Sequence, residues 1–133
     1  MIDIDADRVD TILVVEDEPD LRALIRKRLE EDGFKVIEAE NGAIGLTKAK
    51  ANQPSLILLD IRMPESTGYE MLKSLRESGN WGANVPVIFL SNVTPQGDDE
   101  IEDLMALRPA DYFIKSNSDL GEVTRKIRHV LRG

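Results

Sequence analysis

The chain has 133 residues and no cysteine, with 25 acidic against 17 basic residues and a formal net charge of -8. This length suits one domain with a real hydrophobic core, and the lack of cysteine excludes disulfides, thiolate catalysis and cysteine-based zinc sites. The negative charge disfavours contact with nucleic acid or an anionic membrane and favours cationic ligands such as a metal ion. Residues 1–10 are too acidic for a signal peptide, so we interpret them as a short lead-in to one domain over residues 11–133.

Apolar runs and helical patterns alternate along the rest of the chain. Strands are predicted at residues 11–15 (TILVV), 34–39 (FKVIEA), 56–60 (LILLD), 85–91 (VPVIFLS) and 110–115 (ADYFIK). Helices are predicted from Pro19 to before Gly33, from near Asn41 to before Pro54, and over residues 66–78, 98–107 and 119–132. Residues 78–84 are interpreted as a long connection in which Trp81 covers the core. Five strand-helix units of this kind predict an α/β fold, a doubly wound five-stranded parallel sheet flanked by five helices.

Polar side chains stand where four of these strands end. They are Glu16 and Asp17 after the first strand, Asp60 at the end of the third, Ser91 at the end of the fourth and Lys115 at the end of the fifth. Because the carboxyl ends of parallel strands share one edge of the sheet, we expect these side chains to converge. Three crowded carboxylates call for a cation, and a set of oxygen ligands suits Mg²⁺. A lysine and a hydroxyl beside that cation suit a phosphoryl group, for which Asp60 is the natural acceptor.

Four motifs in this order, VVEDEPD, LLDIRMPESTGYE, FLSN and DYFIK, resemble the receiver domain of two-component response regulators. The resemblance covers residues 11–132 and implies a flavodoxin-like fold. It implies the following roles: Asp60 as phosphoacceptor; Glu16, Asp17, Asp60 and the backbone carbonyl of Arg62 around Mg²⁺, with Asp17 a direct ligand; Ser91 and Lys115 on the phosphoryl oxygens; and Ser91 and Tyr112 as the switch. Gly68 is expected to serve the turn from the acceptor loop into the next helix.

The resemblance also implies partners and a mode of action. The phosphoryl donor is expected to be a histidine kinase or a histidine phosphotransfer protein. Phosphorylation is expected to switch the face formed by the helix over residues 98–107, the fifth strand and the last helix, through which a homodimer can form. We expect a cytoplasmic signalling protein without enzymatic turnover and without direct contact to nucleic acid or membrane. The sequence leaves open whether the chain acts alone or within a longer protein, and whether the Lys115–Ser116 peptide is cis.

Two other classes of protein use a similar arrangement. A phosphatase or phosphotransferase of the haloacid dehalogenase type also combines a strand-end aspartate with Mg²⁺, but it needs a second aspartate where this chain has Arg62. A flavodoxin-like binding module needs a loop rich in glycine or hydroxyl groups after the first strand, where this chain has EDEPD. Plain structural roles also remain open, with Glu16 and Asp17 as a helix cap, Ser91 as a turn residue and Tyr112 as a core aromatic.

Overall fold

The computed structural model describes residues 9–61, 68–91, 102, 105–114 and 119–132, and for Ser91 and Ile114 it describes the backbone alone. Its sheet contains β1 (Thr11–Val15), β2 (Lys35–Ala39), β3 (Leu56–Asp60), β4 (Val87–Ser91) and β5 (Asp111–Ile114). The strands are all parallel and lie in the order β2-β1-β3-β4-β5. The order reverses at β1 and β3, and ligands of open α/β sheets gather beyond the carboxyl ends at such a point.

The helices of the described residues are α1 (Pro19–Glu31), α2 (Gly42–Asn52), α3 (Gly68–Arg76), α4 (Asn80–Asn84) and α5 (Leu120–Arg132). Glu102, Met105 and Ala106 are helical too, and they belong to the segment 98–107 for which the sequence predicts a helix. The doubly wound parallel fold is therefore confirmed. The short helix α4 is a difference, because the sequence indicated only a connection there.

The ends of two helices follow from single residues. Pro19 begins α1, where the missing N–H of proline costs no helical hydrogen bond, and Gly33 follows the helix with a φ of 95°. Asn41 caps α2, since its side-chain oxygen accepts a hydrogen bond from the Ile44 N–H at 2.9 Å. Gly33 therefore ends α1 just before β2, and Asn41 sets the start of α2, the helix that leads back to β3.

Alternate residues of the strands build two cores, one on each face of the sheet. On one face, Leu13, Leu59 and Phe89 pack with residues of α2 and α3, and Trp81 of α4 lies partly buried against them. On the other face, Ile12, Leu58 and Ile88 pack with residues of α1 and α5. The expectation that Trp81 covers the core is confirmed. Among the described helices, none has the length and apolar character to cross a membrane.

Candidate metal centre at the carboxyl edge of the sheet

Three carboxylates meet at the carboxyl edge of the two central strands. Each of Glu16, Asp17 and Asp60 offers one oxygen, and these oxygens all lie within 4.8 Å of one another. Glu16 is 0% exposed and Asp60 is 4% exposed, whereas Asp17 is half-buried. The convergence of these three side chains, which the order of strands and carboxylates predicted, is present in the structure.

The register of the sheet explains why they meet. Val15 pairs with Leu59 across β1 and β3, so the next residues, Glu16 and Asp60, lie side by side at the carboxyl ends of these strands. Both strands remain bonded to their outer neighbours at this level. The Glu16 N–H donates to the Ala39 carbonyl at 3.0 Å, and the Ile61 N–H donates to the Leu90 carbonyl at 3.1 Å. The two carboxylates are therefore carried by hydrogen-bonded backbone and not by free loops.

Gly68 brings the start of α3 against the end of β3. Its N–H donates to the Ile61 carbonyl at 2.8 Å, which ties the first residue of α3 to the residue that follows β3. A Cβ atom on Gly68 would overlap the carbonyl oxygen of Asp60, so only glycine permits this approach. The close approach of Gly68 to the end of β3 is present in the structure, and its role in the turn from the acceptor loop stays a prediction.

The chemistry of this donor set fits Mg²⁺. It consists of carboxylate oxygens alone, which hard divalent cations prefer, and it lies on one rim with two members buried. Three carboxylates this close together repel one another, and a cation removes that repulsion. A role of Glu16 and Asp17 as the cap of α1 is not supported, because Glu18 occupies the N-cap position of that helix.

The other predicted site residues are described only in part. Ser91 ends β4 in register with Ile114 of β5, which places its backbone one residue beyond the level of Asp60. Tyr112 lies on β5 and packs, partly buried, against the core that contains Phe89. Arg62 and Lys115 lie outside the described residues, as does the Lys115–Ser116 peptide.

Sequence reasoning missed two residues that contact the acidic turn or its neighbourhood. Arg22 of α1 donates through Nη1 to the backbone carbonyl of Glu16 at 2.8 Å. Its Nε lies 3.7 Å from Oε1 of Glu38, near the end of β2. The available signal was an arginine in the first turn of α1 together with an acid at the end of the strand beside β1. That signal is weak, because a backbone acceptor leaves no mark in the sequence.

The fold and the acidic cluster together define a flavodoxin-like α/β domain with a cation-binding edge. The family description "Response regulator receiver domain" matches residues 12–128 of this chain. The chain belongs to the receiver domain family of two-component response regulators. Neither a dehalogenase-type phosphatase nor a non-signalling flavodoxin-like module is supported by the comparisons.

Curated relatives agree with this family. The chain is 39% identical over 121 residues to the KDP operon transcriptional regulatory protein KdpE of Escherichia coli, a match that covers 91% of the chain and 51% of KdpE. It is 32% identical over 122 residues to the alkaline phosphatase synthesis transcriptional regulatory protein PhoP of Bacillus subtilis, covering 91% of the chain and 48% of PhoP. The chain thus spans about half the length of these curated relatives.

Solved structures share the fold. The chemotaxis protein CheY4 of Vibrio cholerae superposes with a TM-score of 0.83 at 22% identity, covering 92% of this chain and 99% of CheY4. The response regulator TrrA of Thermotoga maritima, solved in complex with Mg²⁺ and BeF, superposes with a TM-score of 0.77 at 30% identity. That match covers 92% of this chain and 99% of TrrA.

Proposed function

We propose that Asp60 accepts a phosphoryl group from the phosphohistidine of a histidine kinase or a histidine phosphotransfer protein. One observation carries the proposal: Asp60 lies almost fully buried beside two other acids at the carboxyl edge of a receiver-family sheet. In the transfer, a carboxylate oxygen of Asp60 bonds to phosphorus while the phosphorus–nitrogen bond breaks and the imidazole leaves. The protein is then a stoichiometric acceptor in a signalling relay and not an enzyme with turnover.

Mg²⁺ is the metal that we assign to the acidic cluster. Glu16, Asp17 and Asp60 would hold it together with the backbone carbonyl of Arg62, and Asp17 is the proposed direct ligand. When bound, the ion offsets the negative charge that the carboxylates share with a phosphoryl group. The family relative TrrA holds Mg²⁺ together with BeF, which supports a site of this kind.

We propose that β4 and β5, at the other end of the same sheet edge, transmit the response to phosphorylation. Ser91 and Lys115 would bind the phosphoryl oxygens, and Ser91 and Tyr112 would move with them. The ladder between β4 and β5 supports this coupling, because it joins Ser91 to Ile114 and Phe89 to Tyr112. The responding surface would be the helix over residues 98–107, β5 and α5, which is also the proposed face of a homodimer.

The domain as proposed covers residues 11–133, with residues 1–10 as an acidic lead-in. Its net charge of -8 argues against a direct contact with nucleic acid. The curated relatives KdpE and PhoP are named transcriptional regulatory proteins of about twice this length. We propose a cytoplasmic location, where histidine kinases of such relays present their phosphohistidine.

The acceptor is tested by intact mass after incubation with Mg²⁺ and acetyl phosphate, a small phosphodonor. The parent chain is expected to gain one phosphoryl group, stable in acid and labile in base, and Asp60→Asn is expected to gain none. Asp20→Asn is the matched control, since Asp20 is an exposed acid in the first turn of α1. Undiminished labelling of Asp60→Asn overturns the assignment.

The metal is tested by calorimetric titration with Mg²⁺. Asp17→Ala is expected to lose both Mg²⁺ binding and phosphorylation, because a direct ligand and part of the local charge disappear. Lys115→Ala is expected to retain Mg²⁺ binding while phosphorylation no longer changes the responding surface. If Asp17→Ala binds Mg²⁺ as the parent does, the metal is held elsewhere.

A further inference from the structure

Both backbone groups of Glu16 are held by defined partners. Its N–H donates to the Ala39 carbonyl of β2 at 3.0 Å. Its carbonyl oxygen accepts a hydrogen bond from Nη1 of Arg22 at 2.8 Å. The carbonyl belongs to the peptide unit that joins Glu16 to Asp17, so the position of Arg22 sets the plane from which Asp17 departs. Beyond β1, both the sheet and the Arg22 side chain thus hold the backbone of the acidic turn.

Arg22 is well placed for this contact. Its N–H bonds to the Glu18 carbonyl at 2.9 Å within the first turn of α1, and side chains of a helix lean toward its N-terminus. The side chain is only 19% exposed, so water competes weakly for the guanidinium. A hydrogen bond from a charged donor to a carbonyl is stronger than one between neutral groups.

Glu38 supports the guanidinium from the adjacent strand. Its Oε1 lies 3.7 Å from Nε of Arg22, and its Oε2 lies 2.8 Å from Nη1 of Arg26. The carbonyl of Glu38 in turn accepts a hydrogen bond from Nζ of Lys48 at 2.6 Å. The residue is therefore tied to α1 by its side chain and to α2 by its backbone. A support fixed at both ends limits how far Arg22 can swing away from Glu16.

We propose that Arg22, supported by Glu38, is a positioning residue that holds the Glu16–Asp17 peptide in the orientation needed for Mg²⁺ binding. The proposal rests on the proposed metal site and deepens it. Arg22 acts through a backbone carbonyl, so it supplies order to the turn without occupying a carboxylate oxygen that the metal needs. Groups that orient metal ligands from outside the coordination shell commonly change metal affinity by one to two powers of ten.

The sign of the effect separates positioning from simple charge. Removing a cation beside three carboxylates should by itself strengthen the binding of a second cation. Losing the anchor of the Glu16 carbonyl should instead weaken it. We therefore expect Arg22→Met to bind Mg²⁺ roughly 10-fold more weakly than the parent, although it removes a positive charge. Arg22→Lys keeps the charge but lacks the planar fork that reaches both the carbonyl and Glu38, so it is expected to fall between the two.

Arg26→Met is the matched control. Arg26 lies one turn further along α1 and also pairs with Glu38, yet its other partner is Glu30, outside the acidic turn. In calorimetric titrations, the parent is expected to bind Mg²⁺ as tightly as Arg26→Met or slightly more weakly. Arg22→Lys should bind more weakly than both, and Arg22→Met should bind most weakly of the four proteins. Arg22→Met binding as tightly as the parent or more tightly overturns the proposal, and so does equal weakening by Arg26→Met.

Amide hydrogen exchange without metal gives a second readout. Arg22→Lys and Arg22→Met are expected to speed exchange of the Glu16, Asp17 and Glu18 amides selectively, while amides in the middle of α1 and β3 stay as protected as in the parent. Unchanged exchange at the turn overturns the positioning role even if the metal affinity falls. A parent chain that fails to bind Mg²⁺ would refute the metal site instead, and the exchange comparison would still decide the role of Arg22.

Discussion

The carbonyl oxygen of Asp60 occupies the space into which a Cβ atom on Gly68 would project. The start of α3 is thereby seated directly on the end of the strand that carries the proposed phosphoacceptor. A backbone acceptor cannot swing aside as a flexible side chain can, so a larger residue at position 68 must displace β3 or α3.

Gly68→Ala is predicted to lower the free energy of unfolding by about 1–3 kcal/mol, the usual range for overpacking a closely packed position. It should also weaken Mg²⁺ binding, since the displaced backbone carries Asp60. Urea unfolding and Mg²⁺ titration measure the two effects.

Gly121→Ala is the control for that substitution. A Cβ atom on this buried residue of α5 would meet the ends of the Asp119, Arg28 and Arg125 side chains, which can move. Alanine is also the better helix former, so stability should stay level or rise by up to about 1 kcal/mol. Equal losses from both substitutions would mean that the contact with Asp60 has no special weight.

Asp32 should contribute stability that depends on pH. It follows α1, where Oδ2 accepts a hydrogen bond from Nε of Arg28 at 3.0 Å, and Oδ1 lies 4.0 Å from Nη2 of Arg128 on α5. The hydrogen bond from Arg28, and then one from Thr124, lowers the pKa of Asp32 below its ordinary value of 3.8. The folded state therefore favours the charged form. This contribution is complete above the ordinary value and disappears as the pH falls through the lowered one.

Asp32→Asn is accordingly predicted to cost about 0.5–1 kcal/mol near pH 7, in the range of partly exposed ion pairs. The difference between parent and variant should shrink as the pH falls below 3.8. Parallel denaturant titrations of parent and variant at neutral and acidic pH measure this difference. Subtracting the two unfolding free energies at each pH cancels the contribution of the other carboxylates. A difference that does not change with pH would contradict the assigned ion pairs.

The sequence predicted the parts of the site that depend on the pattern of apolar residues and on the order of the strands. Apolar runs fix where strands end, and parallel order brings Glu16, Asp17 and Asp60 to one edge. Arg22 and Arg76 were not predicted because both donate to backbone carbonyls, which every residue carries, so no complementary residue type points to them. The five residues of α4 (Asn80–Asn84) are likewise too few to show a helical period.

A prediction on the lifetime of the phosphorylated state rests on sequence and on the proposed acceptor. Arg62 stands two residues after Asp60, and Val93 stands two residues after Ser91, both outside the described residues. We expect the cation of Arg62 to shield the phosphoryl group and Val93 to offer no polar atom that orients an attacking water. Self-dephosphorylation should then be slow, and Arg62→Asn combined with Val93→Glu should speed it roughly 10-fold or more. Decay is followed by mass at saturating Mg²⁺, and equal rates would show that these side chains do not control it.

Arg76 joins three segments on the α3 side of the sheet through backbone acceptors. Its Nη1 donates to the carbonyls of Gly82 at 3.0 Å and Val85 at 2.7 Å, which lie in and after α4. Its Nε donates to the Leu107 carbonyl at 2.9 Å, and Nη2 donates to the Arg108 carbonyl at 3.2 Å. Burial, and then the nearby charge of Arg108, lower the pKa of Arg76. The hydrogen bonds to these carbonyls therefore replace the hydration that the half-buried cation loses.

Arg76→Met is predicted to lower the free energy of unfolding by about 2–3 kcal/mol, because it removes the donor of three partly buried carbonyl hydrogen bonds. Arg76→Lys should recover only part of this loss, since an ammonium group cannot reach acceptors spread over two segments. Arg125→Met is the control: its side chain is 67% exposed and pairs with Asp119 at 3.5 Å, so a change within about 0.5 kcal/mol is expected. Amide exchange should locate the Arg76 effect at Val85 and Ala110, whose N–H groups bond to Trp81 and Val87 beside the arginine. If Arg76→Lys were as stable as the parent, the charge alone would account for the contact and the planar fork would be unnecessary.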